Sequence, residues 1–221
     1  MPKLVAVSVG KPKTMTSTVN DSRTPEWTSA ILKIPVSSAV WVGTINIDGD
    51  AQADLKNHGG PDQAILGYSA EHYAYWRSAI PAVDWQYGGF GENITISDQN
   101  EDNVCLGDVY AVGAVRIEVT KPRAPCYKIS RLYGLKALTA LVEETGYHGW
   151  YYRVLDEGEI RAGQEIELIA RVHPRITIRR MNEVMSAPEE WPELVHEIAT
   201  SPATTNGWRN KMNKALAEIS G

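Results

Sequence analysis

The apolar residues in the first three-quarters of the chain recur with the period of a β-strand. Val115, Ile117 and Val119 alternate with polar side chains, so one face of this segment would be buried and the other solvated. Gly113 interrupts the longer β segment and predicts a hairpin or a bend. The β segments lie at residues 4–9, 39–47, 109–119, 150–155 and 166–172. Many short strands joined by glycine-rich turns predict a mainly β fold, either a barrel or a sandwich.

Helical patterns interrupt these strands twice. The first predicted helix begins after Ser69, which is suited to cap it, and ends at Pro81. The second is predicted from about residue 134 to residue 145, with Gly146 as its C-cap.

Beyond Pro174 the apolar residues take the helical period. Three short helices are predicted: one near 178–185, one starting with the capping box at 186–189, and one carrying Trp208 and Met212. We therefore divide the chain into a domain of residues 1–172 and a three-helix domain of residues 173–221. Three short helices bury little surface alone, so we expect them to dock on the first domain or on a second subunit. They either recruit a partner or simply cap the fold.

Composition argues against several classes of protein. The 221 residues carry a net charge of −5, so the chain has no basic excess for nucleic acid or an anionic membrane. No apolar run approaches membrane-spanning length. The apolar stretch within the first ten residues is too short for the hydrophobic region of a signal peptide. Two cysteines make no disulfide framework. We expect a cytoplasmic, reduced protein.

Cys126 lies in an unusual loop, residues 120–129, with the sequence TKPRAPCYKI. Pro122 and Pro125 restrict the backbone on both sides of Arg123, so the loop should be stiff. The neighbouring cations favour the thiolate, the form that attacks electrophiles or binds a soft metal. The alternative is that Cys126 is a small buried apolar residue, as most free cysteines are.

Further blocks stand in a characteristic order with this loop. They are GDAQAD at 49–54, HGGPDQA at 58–64, GFGENIT at 89–95 and LGDV at 106–109. Together with the Pro-Arg-x-Pro-Cys block, they resemble the MOSC family, the domain named for the molybdenum cofactor sulfurase C-terminus. The resemblance covers about residues 1–217, and it is strongest to the YiiM-type branch, which carries a three-helix tail.

The resemblance implies a closed MOSC β-barrel that binds a molybdenum-molybdopterin cofactor. Cys126 would be the thiolate ligand of the metal, with His58 beside it in the catalytic site. Relatives in this branch reduce N-hydroxylated compounds such as hydroxylaminopurines. No Gly-x-Gly-x-x-Gly fingerprint for NAD or flavin occurs, so electrons would come from a separate flavoprotein or iron–sulfur partner. The family also carries an association with pyridoxal phosphate.

The candidate cofactor-binding residues come from four places in the chain. Two adjacent glycines let backbone amides approach a ligand closely. A serine, a lysine and an arginine are suited to phosphate. An asparagine would meet the pterin edge or hold its own turn, and a proline frames the cysteine loop. These residues are Gly59, Gly60, Ser29, Lys33, Arg123, Asn93 and Pro125.

Some residues admit a plainer interpretation. Lys33 is equally well an exposed cation on a strand edge. Cys105 occupies an apolar position without prolines or cations nearby, so we interpret it as a packing residue. The five histidines are scattered without metal-ligand spacing, which argues against a zinc site.

Two other functions use the same loops. Cys126 would carry a persulfide in a sulfur transferase, or the whole domain would be a carrier for the molybdenum cofactor. The sequence leaves the substrate, the electron donor and a possible homodimer open.

Overall fold

The structure is a computed structural model that describes residues 1–17, 26–55 and 58–219. Its strands are β1 (Leu4–Val9), β2 (Lys13–Thr16), β3 (Glu26–Ser29), β4 (Ile34–Pro35), β5 (Val40–Val42), β6 (Ile65–Ser69), β7 (Ile94–Ile96), β8 (Val109–Val112), β9 (Val115–Pro122), β10 (Trp150–Asp156), β11 (Gly158–Ile160) and β12 (Glu167–Ala170). Its helices are α1 (Ala70–Ala79), α2 (Lys128–Tyr133), α3 (Leu138–Thr145), α4 (Ile178–Ser186), α5 (Pro192–Thr200) and α6 (Asn206–Ile219). Short 3₁₀ turns lie at Pro61–Gln63 and Pro188–Glu190.

Eight strands form one curled sheet in the order β12-β8-β9-β10-β6-β7-β1-β4. Only β6 and β7 pair in parallel, and the other neighbours are antiparallel. The predicted hairpin is confirmed: Val112 pairs with Val115, and Gly113 turns the chain with a φ of 60°. Two small sheets, β2–β3 and β5–β11, lie beside the large one.

The prediction of a closed barrel is wrong, because the sheet is a half-barrel with two end strands. Near one end, the Leu4 amide donates to the Gln164 carbonyl and the Ile166 amide to the Pro2 carbonyl, both at 2.9 Å. The far half of β1 pairs instead with β4. The segment around Gln164 and strand β4 together occupy this edge of β1. Strand β12 therefore does not pair with β1, and the sheet does not close into a barrel.

The helices differ from the predicted boundaries at glycines and prolines. The helix predicted at 134–145 begins later, at Leu138, as α3; α2 (Lys128–Tyr133) was not predicted, and it ends at Gly134, which adopts a left-handed φ of 68°. Gly146 ends α3 as predicted, with a φ of 70°. In the C-terminal part, Pro188 begins a 3₁₀ turn rather than a helix, and α5 starts at Pro192.

The C-terminal helices share one apolar core with the sheet. Met181 of α4, Val195 of α5 and Met212 of α6 belong to the same buried cluster as Val119 and Val154 of the sheet. This packing is the first of the two expected docking modes. A second core of aromatic residues lies around α1, α2 and α3. None of the described helices is long and apolar enough to cross a membrane.

Candidate functional site

One cleft brings together residues that lie up to 122 positions apart in the sequence, from Ser29 to Tyr151. Seven of the nine predicted site residues line it: Ser29, Lys33, His58, Gly59, Asn93, Arg123 and Cys126. Gly60 and Pro125 adjoin lining residues without lining the cleft themselves. The empty space, counted out to the open mouth, is about 670 Å³.

Cys126 presents a half-buried sulfur at this cleft. The loop that carries it begins where β9 ends at Pro122 and finishes at Lys128, the first residue of α2. The next side chain, Tyr127, is 60% exposed, so the loop lies at the protein surface. Cys105 differs in every respect: it is buried, its thiol lies 3.7 Å from the Pro174 carbonyl, and burial raises its pKa to about 11. Cys105 is therefore a packing residue, as its sequence context predicts.

Arg123 contributes a buried cation that lacks a counter-ion. Its residue is 5% exposed, and its backbone amide donates to the Gly149 carbonyl at 3.1 Å. Among the residues that the structure describes, its Nη1 atom has no hydrogen-bond partner, and no carboxylate forms an ion pair with it. A buried guanidinium without partners is unfavourable unless something else satisfies it. Arg123 therefore marks the place in the cleft where an anionic group would bind.

Lys33, the other candidate for phosphate, is already paired. Its ammonium forms an ion pair with the carboxylate of Asp50, whose side chain is fully buried. Burial lowers the pKa of Lys33, and the Asp50 charge opposes that shift. With an exposure of 8%, Lys33 is not the surface cation of the plainer interpretation.

Asn93 holds the walls of the cleft together. Its side-chain oxygen accepts from the Leu66 amide at 3.1 Å, and its Nδ2 donates to Asp50 at 3.0 Å and to the Ser8 carbonyl at 3.4 Å. These bonds use both of its donor hydrogens. Asn93 thus positions three segments around the cleft. Ser29, at the end of β3, accepts a hydrogen bond from the Ile31 amide at 3.2 Å.

His58 and Gly59 line the cleft, and Gly60 continues the same turn. Gly59 and Gly60 have φ values of 81° and 88°, which confirms that this turn uses the backbone freedom of glycine. Burial is the main reason that the pKa of His58 is lowered; Asp54 raises it, while Lys128, Arg123 and Lys121 lower it further. His58 is therefore neutral at pH 7, and three cations surround it.

The sequence did not single out the apolar part of the cleft. Ile31, Leu66, Phe90 and Tyr151 line it. Apolar residues in strands and loops usually pack inside, so no sequence signal separates these four from the core. Asp50 accepts hydrogen bonds or an ion pair from Gly10, Lys33, Gln52 and Asn93, so it is a structural centre of this cleft.

The donor atoms at this cleft limit the kind of metal site that the protein forms. In the described ranges, no three His, Cys, Asp or Glu side chains are grouped to hold a metal ion. A metal here would take one thiolate from Cys126 and its other ligands from a cofactor. The unpaired Arg123, the accessible sulfur and the open glycine turn fit an anionic, metal-carrying cofactor of that kind.

Comparison with known proteins gives a consistent result. A family model described as "MOSC domain" matches residues 54–167. The protein YflK of Bacillus subtilis (strain 168) is 35% identical over 211 residues, which are 96% of this chain and 93% of YflK. A protein named "Reductase" from Gibberella moniliformis (strain M3125 / FGSC 7600) is 35% identical over 183 residues, which are 81% of this chain but 32% of that protein.

The crystal structure of YiiM from Geobacillus stearothermophilus has the same fold. It superposes with a TM-score of 0.79 at 33% identity, covering 98% of this chain and 100% of that one. Because the family match spans about half of the chain and the similarities to YflK and YiiM span nearly all of it, the chain belongs to the MOSC domain family.

Proposed function

We propose that this protein is a molybdenum-cofactor-dependent oxidoreductase that reduces N-hydroxylated compounds of the hydroxylaminopurine type. MOSC domains are associated in general with molybdenum cofactor binding. The observation that carries the proposal is the pairing, in one cleft, of the half-buried Cys126 with a buried Arg123 whose Nη1 atom has no hydrogen-bond partner in the part of the chain that the structure describes. The similarity to a protein named "Reductase" supports the reaction class.

The residues of the cleft divide the work of holding such a cofactor. Arg123 binds its anionic group through charge-assisted hydrogen bonds, and the positive charge of Lys128 adds to the attraction. Gly59 and Gly60 let the backbone approach the ligand closely. Cys126 supplies the thiolate ligand. Lys33 acts indirectly. Its ammonium group is paired with the Asp50 carboxylate, and this ion pair holds that wall of the cleft in place.

When bound, the cofactor supplies two-electron chemistry, so that an N–OH group takes up two electrons and two protons and leaves as N–H and water. His58 is neutral at pH 7, so one ring nitrogen carries a proton and the other accepts one. That pair of atoms is suited to pass a proton between solvent and the cleft. The partly buried side chains of Ile31 and Tyr151 offer a surface for a flat base.

The electron donor in this proposal is a separate flavoprotein or iron–sulfur protein. Pyridoxal phosphate is a weaker candidate for the cleft; because the Lys33 amine is engaged by Asp50, Lys128 is the lining lysine that would have to hold that cofactor.

The first experiment is molybdenum analysis on protein made in a host that synthesises the cofactor. Wild type is compared with Cys126→Ser, and Cys105→Ser serves as the matched control, since it alters the other cysteine outside the cleft. We expect near-stoichiometric metal in wild type and in Cys105→Ser, and a large loss in Cys126→Ser. Reduction of a hydroxylaminopurine with dithionite as chemical donor is then measured on the same samples.

The outcomes separate the proposed functions. No metal in any of the three proteins would contradict the reductase and direct attention to a sulfur carrier, which a labile additional sulfur mass on Cys126 would reveal. Bound cofactor that exchanges rapidly without turnover would instead favour a cofactor carrier.

A further inference from the structure

Arg153 joins two parts of the molecule that are far apart in the sequence. It lies on β10, opposite Glu118 of β9, and its guanidinium meets the Glu118 carboxylate at 3.1 Å. The same guanidinium meets the Asp62 carboxylate at 2.8 Å. Asp62 is the middle residue of the 3₁₀ turn that directly follows Gly59 and Gly60. One arginine therefore holds the glycine turn of the cleft against the sheet.

The same guanidinium also donates hydrogen bonds to the segment that connects the C-terminal helices α5 and α6. Arg153 donates to the Ala203 carbonyl at 3.0 Å and to the Pro202 carbonyl at 3.4 Å. These carbonyls belong to the connection between α5 and α6. Arg209 holds that connection from the other side, by donating to the carbonyls of Ser201 and Thr204 at 3.0 and 3.2 Å. The carbonyls that meet Arg153 are thus fixed in place.

A cation is needed at the position of Arg153, because two carboxylates, those of Asp62 and Glu118, lie on either side of it. Burial raises the pKa of Glu118, the Arg153 charge lowers it, and the neighbouring Asp62 charge raises it again. Two carboxylates therefore lie close enough to repel each other, and Arg153 stands between them. Without it, repulsion between the two carboxylates would favour movement of Asp62, on its short turn, away from Glu118 on the strand.

We propose that Arg153 is a positioning residue through which the C-terminal helices set the position of the glycine turn, residues 58–63, at the cofactor cleft. This role extends the proposed function, since it concerns how tightly the cleft holds its ligand. The tail then has a purpose besides stabilising the fold: it completes a contact without which one wall of the cleft is loose.

Hydrogen–deuterium exchange on the full chain tests this proposal without relying on activity. The amides of Gln63 and His58, which donate to the carbonyls of Gly60 and Asp54, report opening of the turn. In Arg153→Met we expect these amides to exchange up to about fivefold faster, the size of effect that the loss of one partly exposed ion pair produces. Amides of β1 and α3 should not change. Arg153→Lys, which keeps the charge, should give an intermediate rate.

Arg116→Met is the matched control, because Arg116 and Asp156 also form an ion pair across β9 and β10 but touch neither the turn nor the tail. Arg209→Met tests the tail, and it should loosen the turn while leaving Arg153 intact. Equal exchange in Arg153→Met and Arg116→Met overturns the proposal. Faster exchange in Arg153→Met but not in Arg209→Met overturns the part assigned to the tail.

If Arg153→Met does not fold, Asp62→Asn removes the same contact from its more exposed end, and unchanged exchange there overturns the proposal. Molybdenum content of the same variants is measured separately. Wild type without metal contradicts the proposed function, whereas the exchange comparison still decides the role of Arg153.

Discussion

The ammonium group of Lys33 and the carboxylate of Asp50 form an ion pair beside the cleft, with side-chain exposures of 7% and 0%. The Asp50 carboxylate also accepts hydrogen bonds from the Gly10 amide at 2.8 Å and from Asn93 at 3.0 Å. A buried ion pair is strongly destabilising when one partner is removed, because the other charge stays in a medium of low dielectric constant. This pair therefore supports the architecture of the cleft.

Asp50→Asn should lower the free energy of unfolding by about 3 kcal/mol, since it leaves the Lys33 charge buried and uncompensated. Urea denaturation measures this loss. The exposed neighbour variant Asp48→Asn should change stability by less than about 0.5 kcal/mol. The double variant Lys33→Met/Asp50→Asn should recover part of the loss, because neither charge remains. A double variant less stable than Asp50→Asn alone would contradict this account.

Arg123 and Lys33 should behave oppositely when each is replaced by methionine. Arg123→Met removes a buried cation that forms no ion pair with a described carboxylate, so the cofactor-free protein should be at least as stable as wild type while molybdenum retention falls. Lys33→Met should destabilise the fold, because it leaves Asp50 unpaired. Thermal melting and metal analysis of both variants distinguish the two effects. If both variants lost molybdenum equally and neither had a lower melting temperature, both cations would bind the ligand directly.

His58 should make the protein less stable in mild acid. Burial lowers its pKa in the folded state below 6.5, so the unfolded chain binds more protons just below that pH. Stability that is present above pH 6.5 is therefore lost as the pH falls towards the folded-state pKa. His58→Gln should show a smaller fall in melting temperature between pH 7 and pH 5 than wild type. The exposed His196→Gln should follow the wild-type curve, and identical curves for all three would rule out this linkage.

Glu92 should be intolerant of an amide. Its buried carboxylate accepts hydrogen bonds from the Tyr73 hydroxyl at 2.5 Å, the Gly88 amide at 2.8 Å, the Thr95 hydroxyl at 2.9 Å and the Phe90 amide at 3.1 Å. Glu92→Gln turns an NH₂ group towards a donor, and we expect a loss of about 2–4 kcal/mol in unfolding experiments.

Glu71→Gln is the control for Glu92→Gln. Glu71 also accepts two hydrogen bonds, from Ser69 and from the Asp98 amide, but its residue is exposed. The Glu71→Gln variant should lose less than about 1 kcal/mol of its free energy of unfolding. Equal losses would mean that burial of the carboxylate does not determine the effect.

Several elements were predictable because their causes are local. The hairpin at Gly113 follows from strand alternation interrupted by one glycine, and the end of α3 follows from Gly146. Helix α2 was missed, because its 6 residues hold too few turns to show a helical period, and α3 begins at Leu138 rather than at the predicted Gly134. Closure of the sheet was predicted wrongly, since it depends on which segment occupies the far edge of β1.

The sequence by itself determined the family, the strand-rich first part, the helical tail and the set of loops that meet at one cleft, because motif order and apolar period are properties of the chain alone. Only the tertiary structure decided which of two cations, Lys33 or Arg123, pairs with a described carboxylate. Lys33 and Arg123 look alike as candidates in the sequence, but Asp50 lies next to Lys33 and no described carboxylate lies next to Arg123. Charge pairing depends on distances of a few ångströms between residues far apart in the chain, and folding alone sets those distances.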